Sequence, residues 1–408
     1  MKCKVEKICG GCSLLKLKPN MQASKKKEYV ESLVEKAHLK VRVGDVLMAK
    51  QDTHYRNKVI VGFGKEKGKV YSGLYAAHSH RVVKTENCMM HPKLVNEIIN
   101  KITELVSSMK IELYNERTGT GLLRHVLIRW GHKTDEVMVV FVTSQKMFPS
   151  RKNMVNVLVH EFPQIKTIVQ NINPRKTSIV LQDEAMVLYG KGVITDELCG
   201  LKISFGHNSF YQIHSQQCEE LYALGKKMLD LKPTDSVLDT YCGVGTIGLS
   251  MADSCKKVVG VELNGDAIEN AKFNAKQNKI SNIDFVAMDS TKFMEQAKKY
   301  HNHFDCIILD PPRAGTTKTF IEAACSLNPR KILYISCDPR TQVRDLQQFK
   351  KAGYFTNKLE LVDLFPYTDH IESVCVLEKK SMNLKPTRKS QRQAQFRSKK
   401  ISKRKRAD

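Results

Sequence analysis

No stretch of this chain approaches the roughly 18–20 consecutive apolar residues that a membrane-spanning helix needs. The start, MKCKVEKICGGC, has no apolar segment of the kind that marks a secretory signal, so a cytoplasmic protein is expected. Acidic residues are in short supply: 42 Asp and Glu stand against 67 Lys and Arg, for a formal net charge of +25. No internal repeat is visible. What remains is substantial, since hydrophobic residues make up 41% of 408, enough for packed interiors and too much for a disordered chain. The length suits two domains with extensions.

The segment from Lys385 to Asp408 holds eleven Lys or Arg and one Asp, a net +10 that leaves +15 on the rest. Such a tail by itself reads as solvated and disordered. Excess positive charge in the body as well points to a polyanion, and nucleic acid is the favoured partner. Twelve cysteines in a cytoplasmic chain argue against a disulfide framework. Cys306 and Cys375 sit in apolar runs and read as core, and Cys199, Cys218, Cys255 and Cys325 read as structural.

Three cysteines crowd residues 1–13, followed by a helix-like, lysine-rich stretch from about Asn20 to His38. Strand-like segments follow at 56–63, 122–130, 136–142 and 166–172, with the imperfect alternation of an antiparallel sheet. From about Gly200 short buried-type strands alternate with helical patterns: 236–243, 258–263, 283–288, 305–310, 331–336 and 372–377. Between the second and third of these, Ile268, Ala271 and Ala275 fall on one helical face. Repeated β-α units predict a doubly wound α/β sheet with ligands outside the carboxyl ends of its strands. The expected organisation is therefore an α+β domain over residues 1–200, a Rossmann-like, mostly parallel domain over 201–380, and a basic tail over 381–408.

The first of these later strands runs into Asp239-Thr-Tyr-Cys-Gly-Val-Gly-Thr-Ile-Gly248, where Gly243 and Gly245 permit a tight turn close to a ligand. The next ends in Glu262, whose two oxygens could hold ribose hydroxyls. The third ends in Asp289, placed for an adenine amino group, and the fourth in Asp310-Pro-Pro-Arg313. A dinucleotide needs donors for its pyrophosphate, whereas this crevice is lined by carboxylates. The cationic sulfonium of S-adenosylmethionine suits it better. The fifth strand delivers Ser336-Cys337-Asp338-Pro339 to the same edge, with Pro339 restricting the backbone that presents Cys337.

DPPR at 310–313, SCDP at 336–339, the run Phe365-Pro-Tyr-Thr-Asp-His-Ile-Glu372 and Ser209-Phe-Tyr-Gln212 resemble, in order, the motifs of the RNA uracil-5-methyltransferase family, and the resemblance covers residues 1–380. It implies methylation of uridine carbon 5 in 23S ribosomal RNA, ahead of the tRNA T-loop. Carbon 5 of uracil is a poor nucleophile, so a thiolate first adds to carbon 6, and a base later removes the carbon 5 proton. By similarity Cys337 is the nucleophile and Glu372 the base. Asp310 and Arg313 would hold the pyrimidine edge. Gln212, Tyr241, Thr246, Glu262, Asp289 and Asp310 would bind S-adenosylmethionine, and Phe210 would stack on the flipped uracil. Thr246 and His214 stand where some relatives carry Asn.

Cys3-x5-Cys9-x2-Cys12 with the distant Cys88 could close a tetrahedral zinc site or a [4Fe–4S] cluster, and spacing does not choose. The resemblance does, because ribosomal RNA members hold a [4Fe–4S] cluster on such a set. It also implies a member lacking the N-terminal β-barrel RNA-binding domain that many relatives carry. A radical S-adenosylmethionine enzyme is the distant alternative, against which stand the x5 spacing and the separate cofactor loop.

Overall fold

A computed structural model describes residues 2–77, 79–177 and 179–379; the basic tail lies outside the described residues. No helix among them is long and apolar enough to cross a membrane. The strands gather into two large sheets and one hairpin.

The larger sheet is nine-stranded. Its parallel heart runs Lys331–Ser336, Cys306–Leu309, Ser236–Thr240, Lys257–Glu262, Ile283–Ala287. Glu372–Lys379 adds antiparallel to Lys331–Ser336, and Lys358–Val362 adds antiparallel to that. The chain steps outward from Ser236–Thr240 and then returns to Cys306–Leu309 on its other side, so the switch point lies between these two strands. Their carboxyl ends frame the crevice where such sheets bind ligands. The buried runs VLDT and CIIL leave no polar face, as strands covered on both sides require.

The second sheet has seven strands, of which Lys58–Glu66, Leu123–Trp130, Val137–Thr143 and Ile165–Ile172 are central. It is mixed where an antiparallel sheet was expected: Val137–Thr143 and Ile165–Ile172 run parallel, joined through the helix Arg151–Glu161. A hairpin, Val193–Leu198 and Leu201–Gly206, turns on Cys199 and Gly200, both at positive φ (53° and 74°) as a two-residue turn of this hand demands. Leu127, Met138, Val140 and Val169 of the second sheet share one buried cluster with Ile203, Phe205, Leu221 and Val237, so the two sheets are welded through the hairpin.

A clean division at residue 200 does not describe this arrangement. Arg42–Leu47 joins the larger sheet as its edge, parallel to Lys358–Val362, more than 300 residues away. The helix Pro19–Lys36 packs beside it, burying Gln22, Lys26, Val30 and Val34 at every fourth position. Lys26 is buried against Asp363 (Nζ–Oδ1 2.7 Å) and also donates to the Phe365 carbonyl. Burial pulls the Lys26 ammonium below its ordinary value and the Asp363 carboxylate opposes that pull. Removing one partner of such a pair leaves the other charge buried and alone. Lys26→Met should therefore lose about 3–5 kcal/mol in chemical denaturation, whereas Lys26→Met with Asp363→Leu should regain much of it. Equal loss in the single and double variants would show that the pair is not what matters.

Candidate active site

Ser336 pairs with Ser373 across the antiparallel junction of the larger sheet. Cys337 follows Ser336 as its strand ends, Glu372 precedes Ser373 as the partner strand begins, and the two are near enough for the Glu372 carboxylate to act on the thiol. Below them, Gln342 donates to the Tyr334 and Ser373 carbonyls (3.1 and 3.3 Å) and accepts from the Ser373 hydroxyl (2.6 Å). This fixes both strand ends. Asp338 accepts from the Arg340 amide (3.0 Å) and starts the helix Pro339–Lys351, so the chain turns sharply just after the thiol. Cys337 opens into a cavity of about 360 Å³ that it shares with Arg313, Arg340 and His370.

Three carboxylates converge on this edge. Asp239 is buried; its Oδ2 accepts from the Gly248 amide (2.9 Å), while Oδ1 has no partner among the described residues. Burial raises its pKa to about 8. Asp310 accepts from Gln212 Nε2 at 3.4 Å and is likewise raised by burial. Glu372 is 1% exposed with Oε2 unpartnered, and burial first and Asp310 second push it well above the carboxylate range. Arg313 opposes that shift. Burial, with Glu372 and Asp310 adding repulsion, pushes the Cys337 thiol up to about 12, again against Arg313.

The glycine loop lies beside this group. Gly245 has φ +85°, and a Cβ there would fall 2.9 Å from the Phe285 ring, so the loop can close only on glycine. Glu262 braces it, accepting from the Gly243 and Asn264 amides at 3.3 and 2.9 Å. Each of its oxygens keeps a second lone pair for a ligand. Tyr241 stacks on Phe320 (5.3 Å), and the Thr246 hydroxyl meets the Tyr222 hydroxyl (3.1 Å). Asp289 is exposed and caps the helix Ser290–Lys299 through the Lys292 amide (3.0 Å). The orphaned Asp239 oxygen, the carboxylate lining and the open lone pairs of Glu262 fit a cationic, hydroxyl-bearing nucleoside.

The segment 207–214, carrying the exposed Phe210 and the buried Gln212, is gripped by the second sheet. Buried Arg129 donates to the His207 and Ser209 carbonyls. Asn57 donates to the Gln212 carbonyl (2.7 Å) and the Ser215 hydroxyl (2.9 Å). His214 stacks on Tyr55 at 4.6 Å and caps the helix Ser215–Leu229. None of Arg129, Asn57 and Tyr55 announces this in the sequence, because a strand residue's partner 70 or more positions away leaves no local trace.

Cys3, Cys9, Cys12 and Cys88 line a separate cavity of about 390 Å³ with Leu15 and Arg56. All four are free thiols. Burial pushes Cys12 up to about 11, with the other three cysteines adding repulsion. The donor set suits a group held by four thiolates. Among the described residues no group of three or more His, Cys, Asp or Glu side chains is gathered to hold a metal ion as it stands.

A family model described as tRNA (uracil-5-)-methyltransferase matches residues 18–380. An uncharacterized RNA methyltransferase of Oceanobacillus iheyensis is 36% identical over 378 residues, covering 92% of this chain and 82% of its own. One of Clostridium tetani is 36% identical over 376 residues, covering 92% and 82%. Among solved structures, the Pyrococcus abyssi tRNA (uracil-54, C5)-methyltransferase in complex with S-adenosyl-L-homocysteine aligns with a TM-score of 0.73 at 26% identity, over 90% of this chain and 85% of that one.

Alkylation tests the electrostatics around Cys337, since only the thiolate reacts. Iodoacetamide labelling of the Cys337 peptide, followed by mass spectrometry, should be slow at pH 7.5 and still climbing above pH 10. Arg313→Ala removes the cation that favours the thiolate and should slow labelling further. Glu372→Gln removes a repelling charge and should speed it. A labelling rate that levels off below pH 8.5 would contradict this account.

Proposed function

The chain belongs to the tRNA (uracil-5-)-methyltransferase family and is an S-adenosylmethionine-dependent RNA methyltransferase, and from that premise we propose how its own residues carry out methylation of uridine carbon 5. The observation that supports the reading is that the Ser336–Ser373 pairing brings the strand ends carrying Cys337 and Glu372 together, with Asp310 near enough to act on both.

Cys337 adds to carbon 6 of the uracil, and the ring electrons move to carbon 5 and O4. Its proton has to go first. Asp310, raised by burial, is a better acceptor than a carboxylate in water, and it adjoins the thiol. Arg313 offsets the negative charge that gathers on the adduct. S-Adenosylmethionine supplies an electrophilic methyl group to carbon 5 and is left as the neutral thioether. Glu372, equally desolvated, then takes the carbon 5 proton, the C5–C6 double bond re-forms and the Cys337–carbon 6 bond breaks. Two raised carboxylates give the two protons separate acceptors. In this reading Glu262 holds the ribose, Asp289 the adenine edge, and Tyr241, Thr246 and Gln212 the rest of the cofactor, while Phe210 stacks on the flipped base.

The proposed target is 23S ribosomal RNA. The shared cavity of Cys3, Cys9, Cys12 and Cys88 supports it, because it suits the four-thiolate [4Fe–4S] group of the ribosomal RNA members that the sequence resembles. A second reading, tRNA uridine, is favoured by the likeness to the Pyrococcus tRNA enzyme. Arg56 lies close enough to the cysteines to favour their thiolates.

Glu372→Gln keeps size and hydrogen bonding but not basicity, so it should methylate about one RNA per enzyme and stall as a protein–RNA adduct. With labelled methyl donor, the label should run with the protein in a denaturing gel and shift after ribonuclease. Offering 23S rRNA and tRNA transcripts separately identifies the target by which one is trapped. Normal turnover would remove Glu372 as the base, and methyl-free inactivity would move it to an earlier step.

Protein purified without oxygen should be brown, absorbing broadly near about 400 nm through sulfur-to-iron charge transfer. Cys12→Ser should lose the colour. Colourless protein with one bound zinc would replace the cluster by a zinc site.

A further inference from the structure

The helix Pro19–Lys36 presents a second row beside its buried stripe. Gln22, Lys26 and Val30 point inward, and Lys25 and Tyr29, one turn apart, line the same cavity as Cys337. Tyr29 is 41% exposed and lies near Arg340. Among the described residues its ring stacks on no other aromatic ring. Met21, 54% exposed and one turn before Lys25, extends the row away from the cavity.

The lysines here differ in commitment. Lys26 is locked to Asp363, and Lys27 donates to Asp45 at 2.7 Å. Lys25 has only a loose pair with Asp369 at 3.8 Å, both side chains more than half exposed. An exposed pair of that length contributes little and is readily exchanged for a stronger anion. An unstacked aromatic one helical turn from an exchangeable cation is the pairing by which proteins hold single-stranded nucleic acid: the ring takes a base face and the cation a phosphate. A nucleotide that reaches Cys337 must be unstacked from its strand, and the strand that remains attached has to cross the cavity's rim.

We propose that Lys25 and Tyr29 dock the RNA nucleotide adjoining the target uridine, its base stacked on Tyr29 and its phosphate displacing Asp369 from Lys25. This rests on the RNA uridine reading of the Cys337 site. It assigns the N-terminal helix a role in gripping substrate that is distinct from bond making.

The test is direct binding of fluorescently labelled 23S rRNA and tRNA transcripts to the full chain across a salt series, alongside methylation of the same RNAs. Tyr29→Ala should weaken Kd by about tenfold, and Tyr29→Trp should restore it, because any π face serves. Lys25→Ala should reduce the slope of log Kd against log salt by about 1, the loss of one phosphate contact, while Tyr29→Ala leaves the slope alone. Asp369→Asn frees Lys25 and should tighten binding, an effect that a merely structural role does not produce. S-Adenosylhomocysteine affinity and melting temperature should stay at wild-type values throughout. Wild-type Kd in Tyr29→Ala, or weakening matched by lost cofactor affinity or melting temperature, overturns the proposal. If wild type binds RNA without methylating it, the catalytic reading fails while the Kd comparisons still decide the docking row. If wild type binds neither RNA, both fall.

Discussion

Desolvating Asp239, Asp310 and Glu372 at adjoining strand ends is the constraint on which the rest of the site turns. A carboxylate withdrawn from water resists ionisation, and each neighbour of like charge adds to the resistance. The fold supplies only partial relief, through the Gly248 amide for Asp239 and the Gln212 amide for Asp310. Among the described residues, one oxygen on Asp239 and one on Glu372 are left without a partner. A ligand that completes such a site must bring positive charge or N–H and O–H donors. A sulfonium nucleoside and the imide edge of a uracil both do so, whereas a pyrophosphate would add repulsion.

The strand ends alone would not hold this arrangement, because the segments carrying the side chains are loops. Segment 207–214 is held by Arg129, whose buried guanidinium faces backbone carbonyls at 207 and 209 and has its pKa lowered to about 10 by burial. Segment 363–371, which leads into Glu372, is held from the N-terminal side. Lys26 pairs with Asp363, Tyr55 donates to the Pro366 carbonyl, and the Tyr367 amide donates to Gln22 Oε1 at 2.9 Å. Tyr367 and Tyr55 in turn pack with Leu15 and Met90 against Cys3, Cys12 and Cys88. The cysteine cavity and the loop before Glu372 are therefore one packed unit, which ties the N-terminal cysteines to the strand that Glu372 opens.

The parallel strands were legible because each is a short apolar run with an acidic or polar residue at its end. That pattern located Asp239, Glu262, Asp310 and Cys337 on one edge before any coordinates. The edge strand Arg42–Leu47 was not legible: RVGDVL carries Gly and Asp inside it, and its partner Lys358–Val362 lies at the far end of the chain. The parallel pairing of Val137–Thr143 with Ile165–Ile172 was hidden for another reason. A strand buried on both faces has the same apolar composition in either direction, and only the intervening helix sets the sense. The helix Pro19–Lys36 was legible from its lysine-rich pattern, but not its inward face, because the buried Lys26 and the exposed Tyr29 reverse what side-chain polarity alone suggests.

The same constraint bears on when Cys337, as the proposed nucleophile, becomes reactive. With the thiol pushed up to about 12, Cys337 is held protonated at neutral pH. Burial and the two carboxylates hold it there, and Arg313 and a backbone hydrogen bond pull the other way. Entry of a base changes the balance in a definite direction. A uracil N–H that donates to one carboxylate disperses its charge and weakens its repulsion of a thiolate, and a carbonyl oxygen held toward Arg313 draws negative charge onto the ring once the sulfur adds. In the proposed mechanism both changes favour the anionic adduct over the resting thiol, so the stabilisation is largest where charge develops and small before substrate arrives. A permanently ionised thiol in a cavity of this size would be open to oxidation and alkylation. Keeping it neutral until a pyrimidine is seated follows from the same desolvated carboxylates that make the cavity selective.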